Sequence, residues 1–326
     1  MASIDGMHPT RMPLTTASVV TLFYALGYPI GALAVASMTP MAVLVLRFGL
    51  AAIILASWAM LARAAWPRGA QFGQVMVTGL LIQALQFCCL YEALLLGAPA
   101  VLGAVVIAMN PVITSILAAT FLREPLGQQR VAALALGVVA VLAACARRLM
   151  STHGIDPVIA LLAVALLGLS VGGVYQQRYC SGVDFRAMSA VQNAVALIPA
   201  AALAALTPFA VHDAAKATLA ISGMVLLNAT VAVSLYVRAI SMHGAAAVAM
   251  LFAVIPAGAA VLSRLMLGQR PDIGVAVGLL AGGLACWLNG RPAGRRRTAT
   301  ESPAPVSAPA VVPTDMVTCS VSSDRP

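Results

Sequence analysis

The sequence predicts an all-α integral membrane protein whose ten transmembrane helices form two inverted five-helix repeats. Three observations lead to this fold class. Of the 326 residues, 61% are hydrophobic and 9% are charged, and the mean hydropathy is +0.97. The apolar residues form continuous runs, without the alternation of polar and apolar residues typical of transmembrane β-strands. One half of the chain also resembles the other after a shift of 145 residues.

The composition excludes most soluble classes of protein. Soluble domains are about half apolar and about one quarter charged. The net charge is +9, but the basic residues lie singly between apolar runs rather than clustered on one face, which argues against nucleic-acid binding. Four of the six cysteines lie in apolar runs, and no Cys/His spacing predicts a disulfide framework or a metal site. We therefore expect no cofactor and no metal.

Ten apolar runs approach the length of about 20 residues that a helix needs to cross a bilayer core of about 30 Å. The first run, which ends near Ala36, is longer than the apolar region of a signal peptide and is interpreted as a retained helix. The predicted spans are 16–36, 40–62, 73–96, 100–121, 130–147, 157–176, 187–206, 217–238, 244–267 and 273–290.

The 145-residue shift defines the domain organisation. It places Tyr91 on Tyr236 and Pro111 on Pro256. Each unit has five spans, an odd number, so two units in one chain must cross the membrane in opposite senses. Secondary transporters use such inverted repeats, with the substrate site at the repeat interface. The predicted segments are a cytoplasmic N-terminus (1–15), a first repeat (16–147), a connecting loop (148–156), a second repeat (157–290) and a disordered cytoplasmic tail (291–326).

The distribution of basic residues predicts the orientation. With the N-terminus inside, twelve basic residues lie at the cytoplasmic ends of the spans and five lie at the outer ends. Because cytoplasmic loops carry the excess of Lys and Arg, both termini are expected in the cytoplasm. The skew towards arginine suggests a bacterium and hence the cytoplasmic (inner) membrane.

Several short motifs resemble the EamA domain of the drug/metabolite transporter superfamily. In the first half they are Tyr-Glu-Ala-Leu at 91–94, Ala-Met-Asn-Pro at 108–111, Phe-Leu-Arg-Glu-Pro-Leu at 121–126, and Gly137. In the second half, Tyr236, Pro256 and Gly282 take matching positions, whereas Gln269 stands where that family usually has Glu. The resemblance implies a ten-span carrier of small metabolites or drugs, in bacteria often an exporter, that uses neither nucleotide nor metal.

Polar residues inside the predicted spans are candidates for the substrate pathway, because a polar group in hydrocarbon usually faces a cavity or a partner. Arg47 lies seven residues into its span, about 10 Å along the helix. It either attracts an anionic group, such as a substrate carboxylate, or serves as a structural partner for a backbone carbonyl or Glu92. The candidates are Thr21, Tyr24, Tyr28, Arg47, Gln83, Gln86, Asn110, Gln192, Asn193 and Asn228.

Three further residues have candidate roles in coupling or motion. Glu92 either binds and releases a proton during transport or is an interfacial carboxylate in contact with water. Pro111 and Pro256 lie inside spans, where proline removes a backbone hydrogen bond. They act either as bending points for alternating access or as static kinks.

The sequence thus favours a secondary transporter of small organic metabolites or drugs, with amino-acid-like compounds as one candidate export substrate. A channel or a non-transporting membrane scaffold is the alternative. An enzyme is not expected, because the spans contain no paired carboxylates, Ser/His pair or His-Glu-x-x-His motif. The expected partners are a small-molecule substrate and the bilayer, and both a monomer and a homodimer remain open.

Overall fold

The computed structural model describes residues 14–122 and 156–268, with isolated positions between 131 and 139 and between 273 and 284. The predicted spans 130–147 and 273–290, the tail 291–326 and nearly all of the predicted loop 148–156 therefore lie outside the described residues.

Helices account for nearly all of the two described ranges. Seven helical stretches there are long and apolar enough to cross a membrane, so an all-helical membrane protein is confirmed at this coarse level. The helices are α1 (Leu14–Ser37), α2 (Pro40–Leu61), α3 (Ala70–Leu95), α4 (Ala100–Ile107), α5 (Asn110–Leu122), α6 (Pro157–Tyr179), α7 (Phe185–Ala205), α8 (Ala214–His243), α9 (Ala245–Ala249) and α10 (Ile255–Leu267).

Three aspartates begin helices of the second half. The side chains of Asp156, Asp184 and Asp213 accept hydrogen bonds from backbone amides in the first turns of α6, α7 and α8. This capping satisfies amide groups that have no partner within the helix. At Asp184, a hydrogen bond from the Arg186 side chain also holds the pKa of the carboxyl below its ordinary value.

The 145-residue periodicity of the sequence recurs in the local structure. A π-helical segment starts at Gly79 in α3, and a second one starts at Met224 in α8. Likewise, α5 covers 110–122 and α10 covers 255–267. Since π-helical segments are rare and often mark functional sites, their recurrence 145 residues apart indicates that the two halves have similar local backbone structure.

Helices α2 and α7, which are equivalent under this shift, pack side by side and run antiparallel. At one end, the Thr39 amide donates to the Ala210 carbonyl at 3.0 Å. At the other end, the rings of Trp58 and Phe185 meet edge to face, with centroids 5.7 Å apart. The beginning of α2 therefore lies beside the end of α7, and the end of α2 lies beside the beginning of α7.

Helices α5 and α6 run parallel. Near the start of α5, Asn110 accepts a hydrogen bond from Ser170 in the middle of α6. At the end of α5, the Phe121 carbonyl accepts one from Arg178, close to the end of α6. Residue numbers thus increase in the same direction along both helices.

The two mid-span prolines each lie in the first turn of a helix. The chain makes a turn at residues 108–109, and α5 then begins with Asn110 and Pro111. After a turn at Val254, Pro256 lies in the first turn of α10 in the same way. Proline is favourable at a helix start, because it has no N–H to lose there and its fixed φ suits the first turn. That the two prolines are bending points or static kinks stays a prediction.

Gly79 permits the closest backbone contact between α3 and α7. A Cβ atom added to Gly79 would lie 2.8 Å from the Gln192 Cα atom, whereas one added to Gly73 would meet nothing within 4 Å. Gly79→Ala should therefore force the two helices apart and cost about 1–3 kcal/mol of stability. Gly73→Ala, in the same helix, is the matched control and should be neutral or slightly stabilising. Thermal unfolding in detergent measures both, and equal melting temperatures would contradict the described packing.

Candidate functional site

A cavity lies between α1 and α3 and reaches α8. The space between the lining atoms is about 440 Å³, part of which is open to the surroundings, and the centre of a water molecule can occupy about 30 Å³ of it. Apart from Asn228, which reaches it from α8, the lining residues belong to α1 and α3. They are Tyr24, Gly27, Tyr28, Gly31, Gln86, Phe87, Leu90, Tyr91, Leu94 and Asn228. A mostly apolar and aromatic lining with a few polar groups is typical of small-molecule sites.

Aromatic rings form much of the wall. Tyr24 packs edge to face against Tyr236 and Phe252, with centroids 5.7 and 5.2 Å away. On the opposite side, Phe87 and Tyr91 lie one helical turn apart, and the Tyr91 hydroxyl donates to the Met224 sulfur at 3.3 Å. These contacts hold the rings of α1 and α3 against the second half of the chain, so the wall is shared by both halves.

Arg47 is fully buried directly behind this wall. Its guanidinium carbon lies 3.5 Å from the centroid of the Phe87 ring, a cation–π stack. One terminal nitrogen, Nη2, donates to Asn228 Oδ1 at 3.3 Å, while Nε and Nη1 are buried without a hydrogen-bond partner. Among the described residues, no carboxylate forms an ion pair with Arg47. The cavity wall therefore carries a positive charge that the described part of the chain does not neutralise.

Asn228 connects this charge to three helices. It accepts from Arg47 in α2, donates to the Phe23 carbonyl in α1 at 3.3 Å, and itself belongs to the π-helical segment of α8. Gly27 makes the approach possible, because a Cβ atom there would lie 2.6 Å from Asn228 Nδ2. Asn228 is thus both a lining residue and a link between the two halves.

A buried chain of amides takes the equivalent place in the second half. Gln192, which matches Arg47 in the repeat, donates to Thr78 Oγ1 at 2.9 Å and to Gln176 Oε1 at 3.2 Å. Gln176 in turn donates to the Val237 carbonyl at 3.1 Å. These bonds link α3, α6, α7 and α8. Gln176 is equivalent under the 145-residue shift to Gly31, which lines the cavity in the first half.

A second polar cluster surrounds Asn110, where α5 begins. Thr114 and Ser170 both donate to Asn110 Oδ1 at 2.8 Å, while its Nδ2 is buried without a partner that meets hydrogen-bond geometry. Asn110 is not among the cavity-lining residues. Its hydrogen bonds to Thr114 and Ser170 join α5 to α6, and its side chain also interacts with Tyr236 of α8.

The predicted residues divide into three groups. Tyr24, Tyr28, Gln86 and Asn228 line the cavity, and Arg47 touches two lining residues from behind. Others are buried away from it: Gln83 has no partner for either side-chain atom, and Asn193 donates to the Ser189 carbonyl. Thr21 and Glu92 are partly exposed and do not line the cavity. Four further predicted residues also lie outside the lining, namely Asn110, Pro111, Gln192 and Pro256.

The sequence analysis missed Phe87, Gly27, Gly31 and Gln176. Phe87 and the two glycines look like ordinary apolar-run residues, because their function depends on which helix they face. Gln176 is four residues from Gly172, a repeat position, and it aligns with Gly31 under the same shift. A Gly aligned with a Gln was therefore a signal, beside Arg47 aligned with Gln192, that the two halves differ.

Fold and cavity together define a polytopic helical membrane protein with an internal, partly polar cavity of the kind that transporters possess. A model of the EamA-like transporter family matches residues 12–145 and, a second time, residues 157–291. The chain therefore belongs to the EamA-like transporter family, with two copies of its domain. It is accordingly a membrane transporter of small molecules of the drug/metabolite type.

A solved crystal structure has a similar fold, with a TM-score of 0.64 and 17% sequence identity; the match covers 85% of this chain and 96% of that one. At this identity the similarity supports the fold alone. A search of curated proteins gives no match.

The hydrogen bond between Asn228 and Arg47 is expected to stabilise the fold. Asn228→Ala leaves the buried guanidinium without a hydrogen-bond partner and should cost about 2–4 kcal/mol. Adding Arg47→Met removes the charge that needs the partner, so the double variant should be more stable than Asn228→Ala alone. Melting temperatures in detergent measure both; a double variant less stable than the single one would contradict this assignment.

Proposed function

We propose that the chain is a secondary transporter that exports small organic molecules across a bacterial cytoplasmic membrane by alternating access between two inverted repeats. The observation that carries the proposal is the cavity at the junction of the halves, with an un-neutralised buried arginine behind its wall. Amino-acid-like compounds, which combine an apolar body with a carboxylate, are one candidate substrate class.

The direction of the helices supports the inverted arrangement. Repeat-equivalent α2 and α7 run antiparallel, as inversion requires. The parallel direction of α5 and α6 supports a further crossing between them, and we assign this crossing to the predicted span 130–147. With a tenth span at 273–290, both termini lie on one side of the membrane, in the cytoplasm by the distribution of basic residues.

The lining supports a substrate with both an apolar part and an anionic group. Tyr24, Tyr28 and Phe87 offer aromatic surface, while Gln86 and Asn228 offer hydrogen bonds. Arg47 provides positive charge in a region of low dielectric, where attraction for an anion is stronger than in water. A channel needs no such charge within a closed wall, and a scaffold needs no cavity, so the carrier is the favoured function.

The substrate class can be found by overexpressing the chain in bacterial cells and screening metabolites and drugs for changed accumulation and resistance. A carrier should give saturable, gradient-driven transport after reconstitution in proteoliposomes. Transport that rises linearly with concentration would instead indicate a channel, and no transport of any compound would indicate a scaffold.

Arg47→Ala should abolish transport of an anionic or zwitterionic substrate, because the cavity loses its positive charge. Arg47→Lys retains the charge but loses the planar stack on Phe87, so we expect partial activity with a raised KM. Arg186→Ala, which removes an arginine outside the cavity, is the control and should transport normally. The measurement is initial uptake rate in proteoliposomes at matched protein amounts. Normal transport by Arg47→Ala would refute the role of this residue.

Glu92 is the candidate for proton coupling, although it is not part of the lining. If it carries the coupled proton, Glu92→Gln should remove the dependence of the transport rate on an imposed pH gradient. The gradient-dependent rate of the parent protein is the reference. A parent rate that does not respond to the gradient, or an unchanged response in the variant, would exclude Glu92 from coupling.

A further inference from the structure

The two halves differ at one pair of equivalent positions, which lies beside the cavity in the first half and within the buried chain of amides in the second. Gly31 in α1 lines the cavity, and the Tyr91 hydroxyl of α3 lies so close that a Cβ atom added to Gly31 would be 2.9 Å from it. The equivalent residue in α6 is Gln176, which is fully buried and bonded to α7 and α8. The side chains that connect the neighbouring helices at these equivalent positions therefore differ: a tyrosine hydroxyl against a glycine in the first half, and a hydrogen-bonded glutamine in the second.

The arginine and its repeat equivalent also have different kinds of partner. Arg47 bonds to Asn228, in the π-helical segment of the other half. The equivalent pair would be Gln192 with Gln83, which lies in the π-helical segment of α3. Instead, Gln192 donates hydrogen bonds to Gln176 and Thr78. Gln83 is fully buried, and neither its Oε1 nor its Nε2 atom has a hydrogen-bond partner.

The unused hydrogen-bonding groups suggest a second arrangement. Gln192 Oε1 is also buried without a partner. A buried amide without partners is unfavourable unless another conformation satisfies it, and unsatisfied groups in native structures often belong to functional elements. In a state with the second half open, α6 would move away from α8, and Gln192 would be free to bond to Gln83 as Arg47 bonds to Asn228.

We infer that Gln192 is a two-position hydrogen-bond switch: it bonds to Gln176 while the second half is closed and to Gln83 when the second half opens. This inference rests on the proposed alternating access. It names the residues that would keep the second half closed and those that would stabilise its opening. Gln176 is then a positioning residue that holds the second half shut, and Gln83 is the partner that stabilises its opening.

Cysteine labelling tests the switch without a known substrate. In a chain whose six cysteines are replaced by alanine, Leu94→Cys reports on the open half, because Leu94 lines the cavity. Ala239→Cys reports on the closed half, because Ala239 is the buried equivalent of Leu94 in α8. A small water-soluble maleimide should label the first cysteine rapidly and the second slowly in detergent-solubilised protein.

Gln176→Leu should raise the labelling rate of Ala239→Cys about thirtyfold, the population change expected from losing the two internal hydrogen bonds of Gln176, and lower that of Leu94→Cys. Adding Gln83→Leu should reverse both changes, since it removes the alternative partner. Gln71→Leu, at an exposed glutamine of α3, is the matched control and should change neither rate. Opposite changes at the two cysteines separate a shift between states from partial unfolding, which would raise both rates.

An unchanged Ala239→Cys rate in Gln176→Leu, a rise at both cysteines, or failure of Gln83→Leu to reverse the effect would overturn the inference. Its failure is distinguishable from failure of the transport proposal. If Arg47→Ala abolishes transport while Gln176→Leu leaves both labelling rates unchanged, the carrier stands and the switch is wrong.

Discussion

The hydrogen bond between Arg47 and Asn228 is the contact on which the candidate site depends. It places a buried cation from α2 against the π-helical segment of α8 and, through the Phe23 carbonyl, against α1. Stacking on Phe87 fixes the guanidinium plane at the cavity wall. A charge is costly to bury in a membrane, and the stack on Phe87 and the hydrogen bond to Asn228 offset part of that cost.

Repetition and asymmetry together explain how one cavity arises from two similar halves. The matching π-helical segments and the matching helices α5 and α10 show that both halves use the same local structure. At the positions that the proposed switch involves, however, the side chains differ: Gly31 against Gln176, and Arg47 against Gln192. Small differences of this kind suffice to bias a two-state equilibrium, because each hydrogen bond shifts the populations several-fold.

Much of the fold follows from the sequence. A continuous apolar run that crosses the bilayer must satisfy its backbone hydrogen bonds internally, and a helix does this within one segment. Tyr24, Tyr28, Gln86 and Asn228 could be proposed as lining residues from their polarity alone. A disturbance of the helix at Pro111 and Pro256 could also be predicted from the missing N–H of proline, whereas the π-helical segments could not, since they depend on local packing. Phe87 and Gln176 also escaped, because an aromatic or amide side chain gains its function from the helix it faces in three dimensions.

The most direct test of the inverted two-repeat account is the sidedness of the chain termini. An impermeant reagent applied to intact cells should label a tag on neither terminus, and should label both after the membrane is permeabilised. Labelling of one terminus alone in intact cells would place the two ends on opposite sides of the membrane. That result would require an odd number of crossings and would contradict two inverted five-helix units.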